Sequence, residues 1–100
     1  MNNYESKLQS EEIDFLCYAI LTLKDKSECY RFFEDICTIN EIQSLSQRLV
    51  VAKMLKDKKT YQDISNLTGA STATISRVNR CLNYGSDGYN RVLERLNEEE

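Results

Sequence analysis

Positive charge and small hydroxylic side chains meet in one stretch of this 100-residue chain, running from Lys58-Lys59 through Thr72-Ala73-Thr74-Ile75-Ser76 to Arg77 and Arg80. Ammonium and guanidinium groups, hydroxyls and free backbone amides are the donors that grip phosphate oxygens and touch base edges. Residues 48–80 hold seven basic side chains (Arg48, Lys53, Lys56, Lys58, Lys59, Arg77, Arg80) against Asp57 and Asp63, a local charge of +5. Residues 1–47 come to −5 and residues 81–100 to −3, so the overall −3 conceals a sharp maximum. A polyanion responds to such a patch, whereas net charge mainly sets solubility. A solvated helical face would give the same count, so the decision falls to the elements that carry these residues.

Other chemistries are poorly supplied. Histidine is absent, which removes the commonest general base and metal ligand. Cys17, Cys29, Cys37 and Cys81 are spaced by 12, 8 and 44 residues, without the close pairs of a zinc site. Met1-Asn2-Asn3-Tyr4-Glu5 lacks the pattern of a secretory leader, so the cysteines are expected as buried small hydrophobes in a reducing cytoplasm. The longest apolar run, Phe15 to Leu23, is nine residues, about half a bilayer crossing. With no glycine-rich phosphate loop and no grouped carboxylates, nothing forms a nucleophile–base–stabiliser set. No enzyme, cofactor, metal or membrane association is expected.

One domain's worth of chain with no proline and three glycines lacks the turns of a β-sandwich, and the fold class is all-α. The apolar spacing predicts six helices. Ser10 caps the first, with Ile13, Leu16, Cys17, Ile20 and Leu21 as its stripe. Lys24-Asp25-Lys26-Ser27 interrupts, and Cys29, Phe32, Phe33 and Ile36 share a face of the second. After a break at Thr38 to Asn40, a third helix from about Glu41 to Lys56 aligns Ile42, Leu45, Leu49, Ala52 and Leu55. Thr60 caps a short fourth helix with Ile64 and Leu67 inward, Gly69 stops it left-handed, and Ser71 caps a fifth that buries Ile75, Val78 and Leu82. Gly85 ends that helix, Gly88 opens a turn, and Tyr89, Val92, Leu93 and Leu96 mark a closing helix whose Glu98-Glu99-Glu100 end frays.

Two short helices about a glycine turn are a helix-turn-helix, whose second helix enters a major groove while the first crosses the backbone. Thr72, Ala73, Ser76, Arg77 and Arg80 are then placed at the DNA. Thr74 and the helix amides meet phosphate, and Gln62, Ser65, Lys58 and Lys59 flank it. The charge maximum on the same third of the chain decides for double-stranded DNA over a plain trihelical domain. Such small side chains cannot form bidentate contacts to purines, so specificity rests on water bridges, thymine methyls and DNA shape.

The runs Leu67-Thr68-Gly69, Ala70-Ser71-Thr72-Ala73-Thr74-Ile75-Ser76-Arg77 and Asn79-Arg80-Cys81-Leu82-Asn83-Tyr84-Gly85, with Thr38, Glu41, Leu45, Arg48 and Leu55 upstream, resemble the Trp repressor superfamily. The last run is similar to its YerC/YecD-type branch, and the resemblance covers residues 36–96. It implies a six-helix Trp-repressor-like fold in an intertwined homodimer, with reading heads one DNA turn apart. It also implies a tryptophan corepressor held between two arginines, matched here by Arg48 and Arg77, with Thr38 as a pocket residue. Val78 stands where the family has glycine, and Cys81 where it has serine. The valine would intrude on the indole slot, and a thiol is a poor acceptor for an ammonium group.

One domain over residues 1–100 is expected, with dimerisation helices over 1–57, the helix-turn-helix over 60–84 and the closing helix over 88–97. The function expected is a cytoplasmic, homodimeric, sequence-specific transcriptional regulator not gated by tryptophan. Two alternatives stand beside it: a repressor sensing a small planar effector through Arg48 and Arg77, and a protein-interaction module that has lost DNA.

Overall fold

Each helix of the chain starts where a side chain or a local turn can satisfy its first amides. In the computed structural model, which describes residues 4–98, the order is α1 (Glu11–Leu21), α2 (Lys26–Ile36), α3 (Ile39–Lys56), α4 (Tyr61–Thr68), α5 (Thr72–Tyr84) and α6 (Gly88–Glu98). No strand occurs among the described residues. Met1 to Asn3, part of the leader reading, and Glu99 and Glu100, expected to fray, lie outside them. The chain divides into two units, one up to Cys37 and one from Thr38.

In the first unit, Ser10 Oγ accepts the Ile13 amide at 3.1 Å and Asp25 Oδ1 accepts that of Glu28 at 2.9 Å, capping α1 and α2. Neither helix buries a single residue. The stripe expected on α1 is exposed throughout: Ile13, Leu16, Cys17, Ile20 and Leu21 all face outward, as does Phe15 at 78%. On α2, Cys29, Phe32 and Phe33 are half-buried and Ile36 is exposed. Periodicity reports that a helix has an apolar stripe, not what covers it.

The second unit is built on α3, against which α4, α5 and α6 pack. Thr38 and Glu41 form a reciprocal capping box, each side chain accepting the other's backbone amide, so α3 begins at Ile39, two residues before its expected start. The core consists of Val51, Ala52, Ile64, Ala70, Ile75, Val78 and Leu93, with Met54, Leu55, Leu82 and Tyr89 packed around it. Of the stripe expected on α3, only Ala52 is buried; Leu45 and Leu49 are exposed. That helix is apolar on two sides, and Val51 with Ala52 forms the side that meets this core.

Three further expectations are corrected. Leu67 is 73% exposed: three residues on from Ile64 it is turned about 60° away around α4, and Ile64 alone on that helix is buried. Asp87, not Gly88, takes the left-handed conformation before α6 (φ 69°), and Gly88 is the first helical residue. No cysteine is buried: Cys17 and Cys81 are exposed, Cys29 and Cys37 half-buried, all four as free thiols. Gly85 does end α5, through close approach: a Cβ there would lie 2.5 Å from the Cys81 carbonyl oxygen and 2.9 Å from its Cα.

Candidate nucleic-acid interface

The α4–α5 pair is fixed at both ends of both helices. At the N-termini, Thr60 Oγ1 accepts the Asp63 amide and Ser71 Oγ accepts the Thr74 amide, each at 3.1 Å. Between the helices, Gly69 adopts φ 75° and donates its amide to the Ser65 carbonyl at 2.9 Å. Ala70 is buried in the core, and its amide donates to Thr68 Oγ1 at 3.1 Å, so the turn itself is anchored.

The C-termini are held from outside the pair. Gln47 of α3 donates from Nε2 to the Thr68 carbonyl at the end of α4, at 3.1 Å. Asn90 of α6 donates from Nδ2 to the Leu82 carbonyl near the end of α5, also at 3.1 Å. Both carbonyls are among the last four of their helices, which have no partner within the helix. Asn90 also donates to Asp87 Oδ1 and accepts from Lys56 Nζ at 2.7 Å, which ties the end of α3 into the same network. Neither residue stood out in the sequence. Gln47 could have been flagged as a polar side chain four residues before buried Val51; for Asn90, eight residues beyond its acceptor, no local pattern exists.

With Ile64, Ile75 and Val78 turned into the core, the opposite side of α5 is left to polar residues. Thr72, Ala73, Arg77 and Arg80 are exposed, and Ser76 is half-buried. Ala73, Arg77 and Arg80 follow at four and three residues and so share a face. Thr74 is half-buried, with Oγ1 accepting from Ser71 Oγ at 3.1 Å. Tyr84, 87% exposed, is the bulky residue at the far end of this helix. On α4, Gln62 is exposed and donates to Asn66 Oδ1 at 3.2 Å, while Ser65 is half-buried. Lys58 and Lys59 are exposed in the α3–α4 turn.

The acids of the basic stretch neutralise little of it. Asp57 pairs with Lys53 at 3.3 Å, both well exposed, an interaction worth about 0–1 kcal/mol. Arg48, Lys58, Lys59, Arg77 and Arg80 have no ion-pair partner among the described residues. The residues tied by resemblance to a corepressor differ in their settings. Thr38 is the α3 cap, Arg48 is half-buried, Arg77 is exposed, and Val78 is 1% exposed inside the core. Cys81 instead lines an open groove of about 540 Å³ with Leu49, Ser86, Gly88, Tyr89 and Val92. No trio of cysteine or acidic side chains among the described residues could hold a metal ion, and no described helix is long and apolar enough to cross a membrane.

This architecture has counterparts among known proteins. The sequence model of the family described as Trp repressor protein matches residues 11–97, carrying the likeness through α1 and α2. The uncharacterized protein YerC of Bacillus subtilis is 63% identical over 94 residues, 94% of this chain and 90% of its own. A crystal structure of a TrpR-like protein from Eubacterium eligens superposes with a TM-score of 0.87 at 66% identity, covering 91% of this chain and 94% of that one. A solved structure from Staphylococcus aureus does so with a TM-score of 0.87 at 58% identity, covering 91% of each. A capped α4–Gly69–α5 pair on a long α3, matched over nearly the whole chain, leads to one conclusion: the chain belongs to the Trp repressor family.

Proposed function

We propose that the protein is a cytoplasmic, non-enzymatic transcriptional regulator that reads double-stranded DNA as a homodimer, without tryptophan as corepressor. The observation that carries this reading is the polar, basic outer face of α5, Thr72-Ala73-Ser76-Arg77-Arg80, on a helix whose inner face is locked into the core. Its N-terminal end would enter the major groove, with Thr72, Ala73 and Ser76 against base edges and Arg77 and Arg80 on the flanking backbone. Thr74, Gln62, Ser65, Lys58 and Lys59 would meet phosphates. Residues 60–84 form the reading head, 88–97 the closing helix, and 1–57 supply dimerisation.

Dimerisation is supported by surface. Large apolar side chains remain exposed on α1, α2 and α3, among them Phe15, Leu21, Tyr30, Ile39 and Val50. Exposed apolar side chains in such number on a folded chain call for a covering partner, here a second copy of the chain. Independence from tryptophan is supported by Val78. Its side chain is part of the core, at the position where the family resemblance places a glycine beside the indole.

The test is a selection of genomic fragments on the purified protein without added ligand, at near-physiological salt. Enrichment of a two-fold-symmetric sequence is expected. Arg80→Ala and Lys59→Ala should weaken binding to all duplexes and flatten its salt dependence, and Ser76→Ala should shift the preferred sequence. Undiminished binding after loss of both basic residues would overturn the assignment of the interface. If no fragment is enriched, a thermal-shift screen of amino acids and purines separates an effector-gated head from one that no longer reads DNA. A ligand at 100 times its Kd adds about 2.7 kcal/mol.

A further inference from the structure

Asp87 is followed by glycine, whereas every other aspartate and asparagine of the chain precedes a residue with a side chain. The difference is chemical: the backbone nitrogen after an aspartate can attack the carboxyl carbon to close a succinimide ring, and a side chain on the next residue shields that nitrogen. Gly88 offers no such shield. Asp87 and Gly88 are both exposed, and a Cβ on Gly88 would meet nothing within 4 Å. Gly88 is the first residue of α6, where an amide has no carbonyl of its own helix to bond. After Asp57 and Asp63 the corresponding amides are occupied: those of Lys58 and Ile64 donate to the carbonyls of Leu55 and Thr60, each at 3.0 Å. The Asp87 carboxylate also has a structural task. Its Oδ1 accepts from Asn90 Nδ2 and its Oδ2 from Arg91 Nε, each at 3.2 Å, and the same Asn90 amide holds the Leu82 carbonyl near the end of α5.

We propose that the Asp87–Gly88 bond is a site of spontaneous isoaspartate formation, and that its conversion loosens the junction of α5 and α6. The Gly88 nitrogen attacks Cγ of the protonated Asp87 carboxyl group. A C–N bond forms, and the carboxyl hydroxyl leaves with the amide proton as water. Water then opens the imide at one of its two carbonyls. Opening at Cγ restores aspartate. Opening at the main-chain carbonyl carbon leaves a chain that runs through Cβ and Cγ, with a free α-carboxylate and no net change in composition. No reactant but water comes from outside the chain. In the product the carboxylate no longer stands where Asn90 Nδ2 and Arg91 Nε meet it, and the backbone entering α6 is longer by a methylene. Ring closure requires one oxygen to leave its donor, so the Arg91 contact acts as a brake.

The experiment incubates the full chain at neutral pH. Isoaspartate is measured by methyl transfer from labelled S-adenosylmethionine with a protein isoaspartyl methyltransferase, and is then placed by peptide mass spectrometry. Label should gather at Asp87 several-fold faster than at any other residue. Gly88→Ala, for which there is room, keeps the carboxylate and should remove most of the label. Asp87→Asn closes the same ring by losing ammonia and should gather label faster, as should Arg91→Ala. An unaltered chain without label at Asp87, or a Gly88→Ala protein labelled equally, overturns the proposal. The converted fraction, separated by chromatography, should show faster hydrogen exchange at the end of α5 with the amides of α1 unchanged. Identical exchange in the two forms overturns the claimed loosening. None of these readouts depends on DNA.

Discussion

The two units of this chain use similar local chemistry toward different ends. In α1 and α2 the caps are in place and the apolar stripes are present, yet no residue is buried. From α3 onward a core closes, and its completion is what leaves α5 with a polar outer face. Well-formed helices thus do not by themselves make a self-sufficient fold, since most helical stability in proteins comes from packing of an apolar face. The first region leaves its apolar stripes uncovered, and the second holds a few polar side chains on a rigid helix.

The largest separation between the regions should come from deleting apolar side chains. Ile75, fully buried, touches a core shared by four helices, and Ile75→Ala should lower unfolding free energy by about 2–5 kcal/mol in urea titrations followed by circular dichroism. Phe15→Ser on α1 should leave the helix-turn-helix intact, and should shift sedimentation toward monomer and make DNA binding depend more steeply on protein concentration. If both substitutions unfold the chain alike, the division of labour between the units is wrong. If Phe15→Ser leaves the oligomeric state untouched, its face is not the interface.

The same contrast governs what the sequence could disclose. Caps are local, so Ser10, Thr60, Gly69 and Ser71 were readable at their positions, and with them the helix-turn-helix and the placement of Thr72 to Arg80 on its second helix. Core membership is not local. Ile13, Leu16 and Ile20 have an ideal spacing and remain exposed, while Val51 fell outside the stripe expected on α3 because that helix is apolar on two sides. Leu67 misled for a related reason: a spacing of three from Ile64 admits a shared face without fixing which of the two the core covers. The amides of Gln47 and Asn90 were beyond reach because each completes a helix end that belongs to another part of the chain.

Those amides sharpen the comparison at an intermediate scale. Asn90→Ala should cost about 1.5 kcal/mol, since it strands the part-buried Leu82 carbonyl at the end of α5. Asn90→Asp keeps an acceptor for Lys56 Nζ but loses both amide donors, so it should recover little. Hydrogen exchange would resolve the effect by region: faster exchange at the end of α5 and the start of α6, with the amides of α1 unaffected. Uniform acceleration along the chain would mean that the network supports global stability and not the seating of α5.

The smallest effect is the most discriminating, because one chemistry is tested in both regions. Ser10 and Ser71 each accept an amide three residues on, at 3.1 Å, and each caps a helix. Alanine at either should remove about 1 kcal/mol of helix stabilisation. At Ser71 the fraying would begin at Thr72 and Ala73, the residues proposed to enter the groove, so affinity for DNA should fall along with Tm. It should also fall more for the preferred sequence than for random duplex, since base contacts and not phosphate contacts are loosened. At Ser10 the same lost hydrogen bond should lower Tm and weaken self-association, while leaving the ratio of preferred to random binding unchanged. Two equal losses of cap energy with different losses of specificity would separate the helix that reads from the helix that assembles; equal losses of specificity would show that the reading head depends on the order of the first unit.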